Sequence, residues 1–338
     1  MRPDDTVAPL RTPRPRANTA KTIAALRVLS LTGGGYRGLF SAQVLVALCD
    51  LARQQGRLDR KIHVFTGTSI GGLMACALSV GVPPRRVLDA IDAYGPVIFP
   101  PKSQRSFRRV MFGTLYDPGN LAKAVDACLG KANARTSLKD IRTGLIVPAV
   151  DWVDGKTRIF MSAFLGKAHA SPATLRDVCL ATSAAPTFFP PHIVDGAPML
   201  DGGLAANNPD VLALMEIARR WPNRLARVEM LSIGTAGADP ERLPRHADMS
   251  GARWAPRIAN FMMTVQERTA AFQAGSLLKK NYLRLNHVPT SRHPAFDNMD
   301  IARADTREKL LEAGIATAKN AYRENRTFID RILSGRNF

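Results

Sequence analysis

The stretch Val64-Phe65-Thr66-Gly67-Thr68-Ser69-Ile70-Gly71-Gly72-Leu73 constrains this chain more than any other. The apolar, β-branched run from Ile62 to Thr66 predicts a strand, and Gly72 to Val80 predicts a helix that Gly81 stops. Between them, Gly67-Thr68-Ser69-Ile70-Gly71 has the form G-x-S-x-G. A serine on a tight strand-to-helix turn exposes its Oγ, because small flanking residues let the backbone reverse sharply. The helix N-terminus behind it favours negative charge. The same five letters also describe an ordinary glycine-rich turn, so the weight falls on what precedes and follows.

Upstream, Ala24 to Thr32 is predicted as a strand, and Gly33-Gly34-Gly35-Tyr36-Arg37-Gly38 follows at once. Phe40, Val44, Leu48 and Leu51 then keep helical spacing until Gly56. A strand, a glycine-rich turn and a helix fit a dinucleotide-binding fingerprint, but the acidic residue expected at the end of the next strand is absent, its place held by Gly67-Thr68-Ser69. No Gly-Lys-Ser/Thr follows, so a P-loop also fails. Three side-chain-free residues suit another task, which is crowding backbone N–H groups around a developing oxyanion. Arg37 adds positive charge or pins the loop. Parallel neighbouring strands bring the two turns together at the C-terminal sheet edge, where α/β ligand sites lie.

Downstream, Pro198-Met199-Leu200 leads into Asp201-Gly202-Gly203, then Asn207-Asn208-Pro209 and a helix from about Pro209 to Arg219, with Asn208 as N-cap. An aspartate before two glycines reaches into a crevice that a bulkier neighbour would block. Further helices are expected from Pro84 to Ala93 and at Leu121–Leu129, Leu175–Ser183, Ile258–Gln273 and Thr306–Leu333. Strands are expected at Gly144–Val150 and Thr157–Ala163 around Asp154-Gly155, at Val228–Ile233 and near Tyr282–Leu285.

The formal charge of +19 points to an anionic partner: a phosphate-bearing ligand, an acidic lipid surface or nucleic acid. Met1 to Lys21 mixes arginine with proline and is expected to be disordered. Tyr94 to Tyr116 contains no acidic residue. There Arg105, Arg108 and Arg109 would share one helical face and Phe107, Val110 and Met111 another, as in a lid, a membrane-surface helix, a phosphate site or a solvated face. Cys49, Cys76, Cys128 and Cys179 are too scattered for a zinc or disulfide framework and read as reduced core thiols. The six histidines form no metal-binding spacing, and no carboxylate-rich loop resembles a calcium site. No cofactor is expected. The opening residues lack the apolar run of a signal peptide, and Ile70 to Val82 is too short to span a bilayer. A cytoplasmic location with transient visits to the inner face of the membrane is expected.

Together, G-G-G-x-R-G, G-x-S-x-G and D-G-G, in that order, resemble the patatin-like phospholipase family. Thr182-Ser183-Ala184-Ala185-Pro186-Thr187-Phe188-Phe189-Pro190 and Leu231-Ser232-Ile233-Gly234-Thr235 resemble its connecting segments, so the match runs from about Arg27 to Thr235. The resemblance implies a three-layer α/β/α hydrolase with a mainly parallel sheet. Residues 23–235 would form the catalytic domain, and 236–338 a helical extension packed on it after the basic tail of 1–22. It implies a dyad of Ser69 as nucleophile and Asp201 as base, an oxyanion hole shaped by Gly33, Gly34, Gly35, Arg37 and Gly38, an elbow with Gly67 and Gly71, and Gly202 and Gly203 in the dyad loop. Burial would have to raise the pKa of Asp201 for it to serve as a base. The substrate would be phospholipid at a membrane surface. The chain is also similar to bacterial antiphage phospholipase effectors, which implies a cyclic-dinucleotide activator; a homo-oligomer is compatible with this, and a nucleic-acid polymer is not expected. A constitutive or secreted lipid hydrolase, a Ser–Asp–His triad drawing on His246, His287 or His293, and a non-catalytic nucleotide-binding module using the Gly33–Gly38 turn stay open.

Overall fold

The computed structural model describes residues 25–335 apart from 55, 102, 104–112, 167–170, 238–250 and 290–292. The basic tail of 1–22, the Arg105, Arg108 and Arg109 cluster and His246 lie outside the described residues.

The strands are β1 (Leu26–Leu31), β2 (Val64–Gly67), β3 (Gly144–Asp151), β4 (Thr157–Met161), β5 (His192–Val194), β6 (Ala197–Asp201), β7 (Val228–Ile233) and β8 (Tyr282–Leu285). β1, β2 and β7 are buried at every residue, which requires cover on both faces of the sheet. The order is β5-β6-β3-β2-β1-β7-β8, with β4 also paired to β3. The run from β3 to β8 is parallel, while β4 and β6 pair antiparallel to β3, and β5 to β6.

Alternation along the strands divides the interior in two. Leu29, Leu31, Phe65, Leu145, Val147, Leu231 and Ile233 face the larger core. That core is built with α1 (Gly38–Leu51), α2 (Ile70–Ser79), α3 (Pro84–Ile98), α4 (Pro118–Leu129) and α5 (Leu175–Thr182). Leu26, Val28, Val64, Ile146, Val228 and Met230 face the smaller core, covered by α6 (Asp210–Arg220) and α7 (Gly251–Leu278). The last helix, α8 (Ala304–Ser334), returns to the larger core and packs along α1. The result is three layers, with helices on both sides of a mixed sheet. Residues beyond 235 contribute more than helices, because β8 extends the sheet beside β7. All four cysteines are free and buried in the larger core, and burial pushes the Cys49 and Cys128 thiols up to about 12.

Several boundaries differ from the sequence reading. α3 runs on through Pro96 to Ile98, so Tyr94 to Ile98 belong to a helix rather than to the basic insertion. Pro96 sits in the last turn, and Gly95 leaves room for the Tyr36 ring, which a Cβ there would strike. α7 is longer than expected at both ends. Pro209, not Asn208, is the N-cap of α6; Asn208 Oδ1 instead accepts from Asp210 N at 3.2 Å, just outside the helix. The β5–β6 hairpin is an addition. Asp195 and Gly196 at its tip have φ of 52° and 80°, the left-handed pair that a two-residue hairpin turn needs.

Candidate active site

Sheet register brings the landmarks together. Leu31 pairs with Gly67, so the Gly33–Gly38 turn after β1 and the Ser69 turn after β2 leave the same edge side by side. Thr66 at the end of β2 pairs with Ile146 on β3, and Ala149, three residues further along β3, pairs with Asp201. Three segments far apart in sequence therefore meet at one point.

The Ser69 turn is strained in the way a nucleophile elbow is. Ser69 has φ 55° and ψ −124°, a rare conformation for a residue with a side chain. A Cβ at Gly67 would strike the Gly71 carbonyl, and one at Gly71 the Leu31 carbonyl, so both flanking glycines are required by close backbone approach. Ser69 N–H donates to Thr182 Oγ1 at 3.1 Å, and Thr182 Oγ1 donates in turn to Pro148 O at 2.7 Å. Thr68 Oγ1 donates to Ala206 O at 2.6 Å. α2 begins directly behind the serine and aims its N-terminus at it.

Asp201 is 6% exposed. Its carboxylate accepts from Gly203 N–H at 2.7 Å, and the Ser69 hydroxyl lies close enough to favour its charged form. Burial dominates over both and raises its pKa from 3.8 to about 6. Thr182 holds this loop as well, since Gly202 N–H donates to its carbonyl at 3.3 Å. One buried threonine at the end of α5 thus sets the spacing between the serine turn and the aspartate turn. Gln266 on α7 clamps the far side, donating to Ala205 O and accepting from Asn207 N, each at 2.6 Å.

The glycine turn is held from three directions. Gly33 N–H donates to Asn207 O at 3.0 Å, and Gly33 O accepts from Thr235 Oγ1 at 3.2 Å. Tyr36 N–H donates to Met299 O at 2.8 Å. Arg37 is an anchor: its Nη1 donates to Phe296 O at 2.9 Å, tying the turn to the segment before α8. Gly33 therefore shapes the turn with its N–H already engaged. Gly34 and Gly35 carry the N–H groups that have no protein partner among the described residues. Gly35, at φ 57°, gives the turn its bend.

Thr182, Gln266 and the Phe296–Met299 segment were not singled out from the sequence as site residues. Among the described residues no histidine contacts Asp201. His287 lies between Phe40 and Phe296 with its ring tilted by 44° to the first and 46° to the second, and His293 Nδ1 accepts from Ala295 N–H at 3.1 Å. No three His, Cys, Asp or Glu side chains among the described residues gather around a point where an ion would sit. A strained serine beside a buried, high-pKa carboxylate, next to a glycine turn with open backbone N–H groups, is geometry suited to acyl transfer.

The family model described as patatin-like phospholipase matches residues 29–214, which contain all three segments. A protein of Vibrio cholerae named cGAMP-activated phospholipase is 30% identical over 90% of this chain and 94% of its own length. A protein of the same name from Escherichia coli is 32% identical over 81% of this chain and 78% of its own. Among solved structures, VipD from Legionella pneumophila superposes with a TM-score of 0.45 at 12% identity, over 89% of this chain and 67% of that one. The match to the family model and the extent of the likeness to these relatives place the chain in the patatin-like phospholipase family, as a lipid acyl hydrolase.

Proposed function

We propose that this hydrolase cleaves acyl esters of membrane phospholipid through a Ser69–Asp201 dyad, and that a cyclic dinucleotide switches it on in defence against phage. One observation carries the catalytic half. Asp201 is buried beside the Ser69 hydroxyl and raised to a pKa of about 6, so it is ionised at neutral pH yet basic enough to take a proton.

In the first half-reaction Ser69 Oγ attacks the ester carbonyl carbon while Asp201 accepts the hydroxyl proton. The carbonyl oxygen takes the negative charge and is met by Gly34 and Gly35 N–H and by the α2 N-terminus. Collapse of the tetrahedral adduct breaks the ester C–O bond, and Asp201 returns its proton to the departing lysolipid alcohol. In the second half a water attacks the acyl-serine carbonyl and Asp201 takes a water proton; collapse breaks the C–Oγ bond, Asp201 gives its proton to Ser69 Oγ, and the fatty acid leaves. The chain acts from outside the bilayer in this scheme; among the described residues no helix is long and apolar enough to cross a membrane.

Activation is supported by the names of the relatives, which match over most of their length, and by a charge of +19 that favours an anionic activator. The test is hydrolysis of a fluorogenic phospholipid by wild type and Ser69→Ala, each alone and with cGAMP. The expected result is hydrolysis only by wild type and only with the nucleotide. Hydrolysis by wild type without nucleotide removes the switch, and equal activity in Ser69→Ala removes the nucleophile.

A further inference from the structure

Two glycines of the turn after β1 are pressed by side chains from far along the chain. A Cβ at Gly33 would lie 2.4 Å from Asn207 Oδ1, and one at Gly34 would lie 2.5 Å from Thr235 Oγ1. Asn207 is 5% exposed and Thr235 1%. Both side chains also take hold of one atom. Gly33 O accepts from Thr235 Oγ1 at 3.2 Å and from Asn207 Nδ2 at 3.4 Å.

The grip on that carbonyl has a consequence one bond away. A peptide unit is planar and trans, so its C=O and its N–H point in opposite directions. The carbonyl of Gly33 and the N–H of Gly34 belong to one such unit. Holding Gly33 O from two sides therefore sets the direction of Gly34 N–H. The neighbouring unit is held differently. Gly34 O accepts from Arg37 N–H at 3.2 Å, a bond within the turn itself, and this sets the plane that carries Gly35 N–H. Of the two open N–H groups, Gly34 is the one whose aim depends on distant partners.

Those partners are tied to the rest of the site. β1 and β7 pair in parallel as far as Leu31 and Ile233, and each strand continues by two residues to Gly33 and Thr235. Asn207 follows the Asp201 turn, and the peptide before it is held at both ends. Ala206 O accepts from Thr68 Oγ1, next to Ser69, and Asn207 N–H donates to Gln266 Oε1, each at 2.6 Å. Asn207 O in turn accepts from Gly33 N–H at 3.0 Å, so this one residue bonds both polar groups of Gly33.

We propose that Asn207 and Thr235 are positioning residues of the hydrolysis: they fix the Gly33–Gly34 peptide so that Gly34 N–H meets the ester oxygen as it gains charge. Asn207 also keeps that donor in step with the Ser69 turn. This deepens the reading of the preceding section, on which it rests. The aim of the donor counts most once the oxygen is charged, so losing it raises the barrier and leaves ground-state binding nearly intact.

The test uses the full chain with cGAMP and a soluble ester, folding being checked by Tm. Thr235→Val and Asn207→Leu remove the donors at similar size, Thr235→Ser keeps the hydroxyl, and Ser69→Ala is run alongside. The readouts are kcat, KM, the pH profile and the Ki of a long-chain trifluoromethyl ketone, which adds to the serine as a tetrahedral oxyanion. Each donor-removing variant is expected to lose at least about tenfold in kcat, and the pair together about a hundredfold or more, as when a whole oxyanion donor is lost. KM should stay within about twofold, and Ki should rise by the same factor as kcat/KM falls. The acid limb near pH 6 should not move, because Asp201 is untouched, and Thr235→Ser should recover most of kcat. Wild-type kcat in Thr235→Val and Asn207→Leu, or a loss confined to KM with Ki unchanged, overturns the inference while a dead Ser69→Ala leaves the dyad standing. Full activity in Ser69→Ala, or a wild type inert toward ester and ketone in every condition, overturns the underlying reading and this inference with it.

Discussion

Replacing Asp201 by asparagine is expected to abolish activity and stabilise the protein together. The amide keeps the size of the side chain and an oxygen for Gly203 N–H, now at 2.7 Å from the carboxylate, and its NH₂ can donate to Ser69 Oγ. What it removes is a buried charge. Burial raises the carboxyl from 3.8 to about 6, so the folded state holds its proton over roughly two pH units in which the unfolded chain has lost it. Each pH unit corresponds to about 1.4 kcal/mol, and ionised Asp201 therefore costs the folded state about 3 kcal/mol above pH 7. Because the folded pKa is the higher one, wild type loses this stability as pH climbs from about 4 through 6 and loses no more above that. Asp201→Asn cannot ionise. It should nearly match wild type at pH 4 and exceed it by up to about 3 kcal/mol at pH 8, while hydrolysis falls by roughly a thousandfold with loss of the base. Urea unfolding at both pH values, with the Tm followed between them, reads the difference. A variant less stable than wild type at pH 8, or one with the same advantage at both pH values, refutes the reasoning.

Three further outcomes follow from the same geometry. For a soluble ester, kcat/KM should fall tenfold per pH unit below about 6 and stay flat from there toward pH 8, since only ionised Asp201 accepts the serine proton; a profile that is flat from pH 4.5 to 8 contradicts this. Thr182→Val leaves Ser69 N–H and Pro148 O buried without their partner, and should cost about 2–4 kcal/mol in urea unfolding together with most of kcat. Thr182→Ser, which keeps the hydroxyl, should restore most of both. Gly34→Ala puts a Cβ within 2.5 Å of Thr235 Oγ1, so the turn must move. Steady-state kinetics should show at least about a hundredfold loss in kcat, with KM little changed, as when an oxyanion donor is misplaced.

The parts of the site that could be read in the sequence are those encoded within a few residues. β1, β2 and β7 are mainly apolar, interrupted by Arg27, Ser30, Thr66, Glu229 and Ser232, because both of their faces are buried, and each of the first two leads into glycines that its turn needs. The β5–β6 hairpin is short and contains Pro198, which hides it from a strand pattern; Asp195-Gly196 was the signal that marks it. The bracing residues are a different matter. Thr182 meets Ser69 across 113 positions and Arg37 meets Phe296 across 259. Thr182 opens a segment that resembles the family's, but nothing local shows that it braces the serine turn, or that Phe296 is more than a core phenylalanine, until the sheet register is known.

The Ser69–Asp201 assignment is tested most directly by covalent trapping. The full chain is incubated with a long-chain alkyl fluorophosphonate, under conditions of maximal hydrolysis, and the adduct is mapped by peptide mass spectrometry. A single adduct on Ser69 is expected, absent from Ser69→Ala and formed at least a hundredfold more slowly in Asp201→Asn. An adduct on another residue with Ser69 unmodified, or labelling of Asp201→Asn at the wild-type rate, contradicts it.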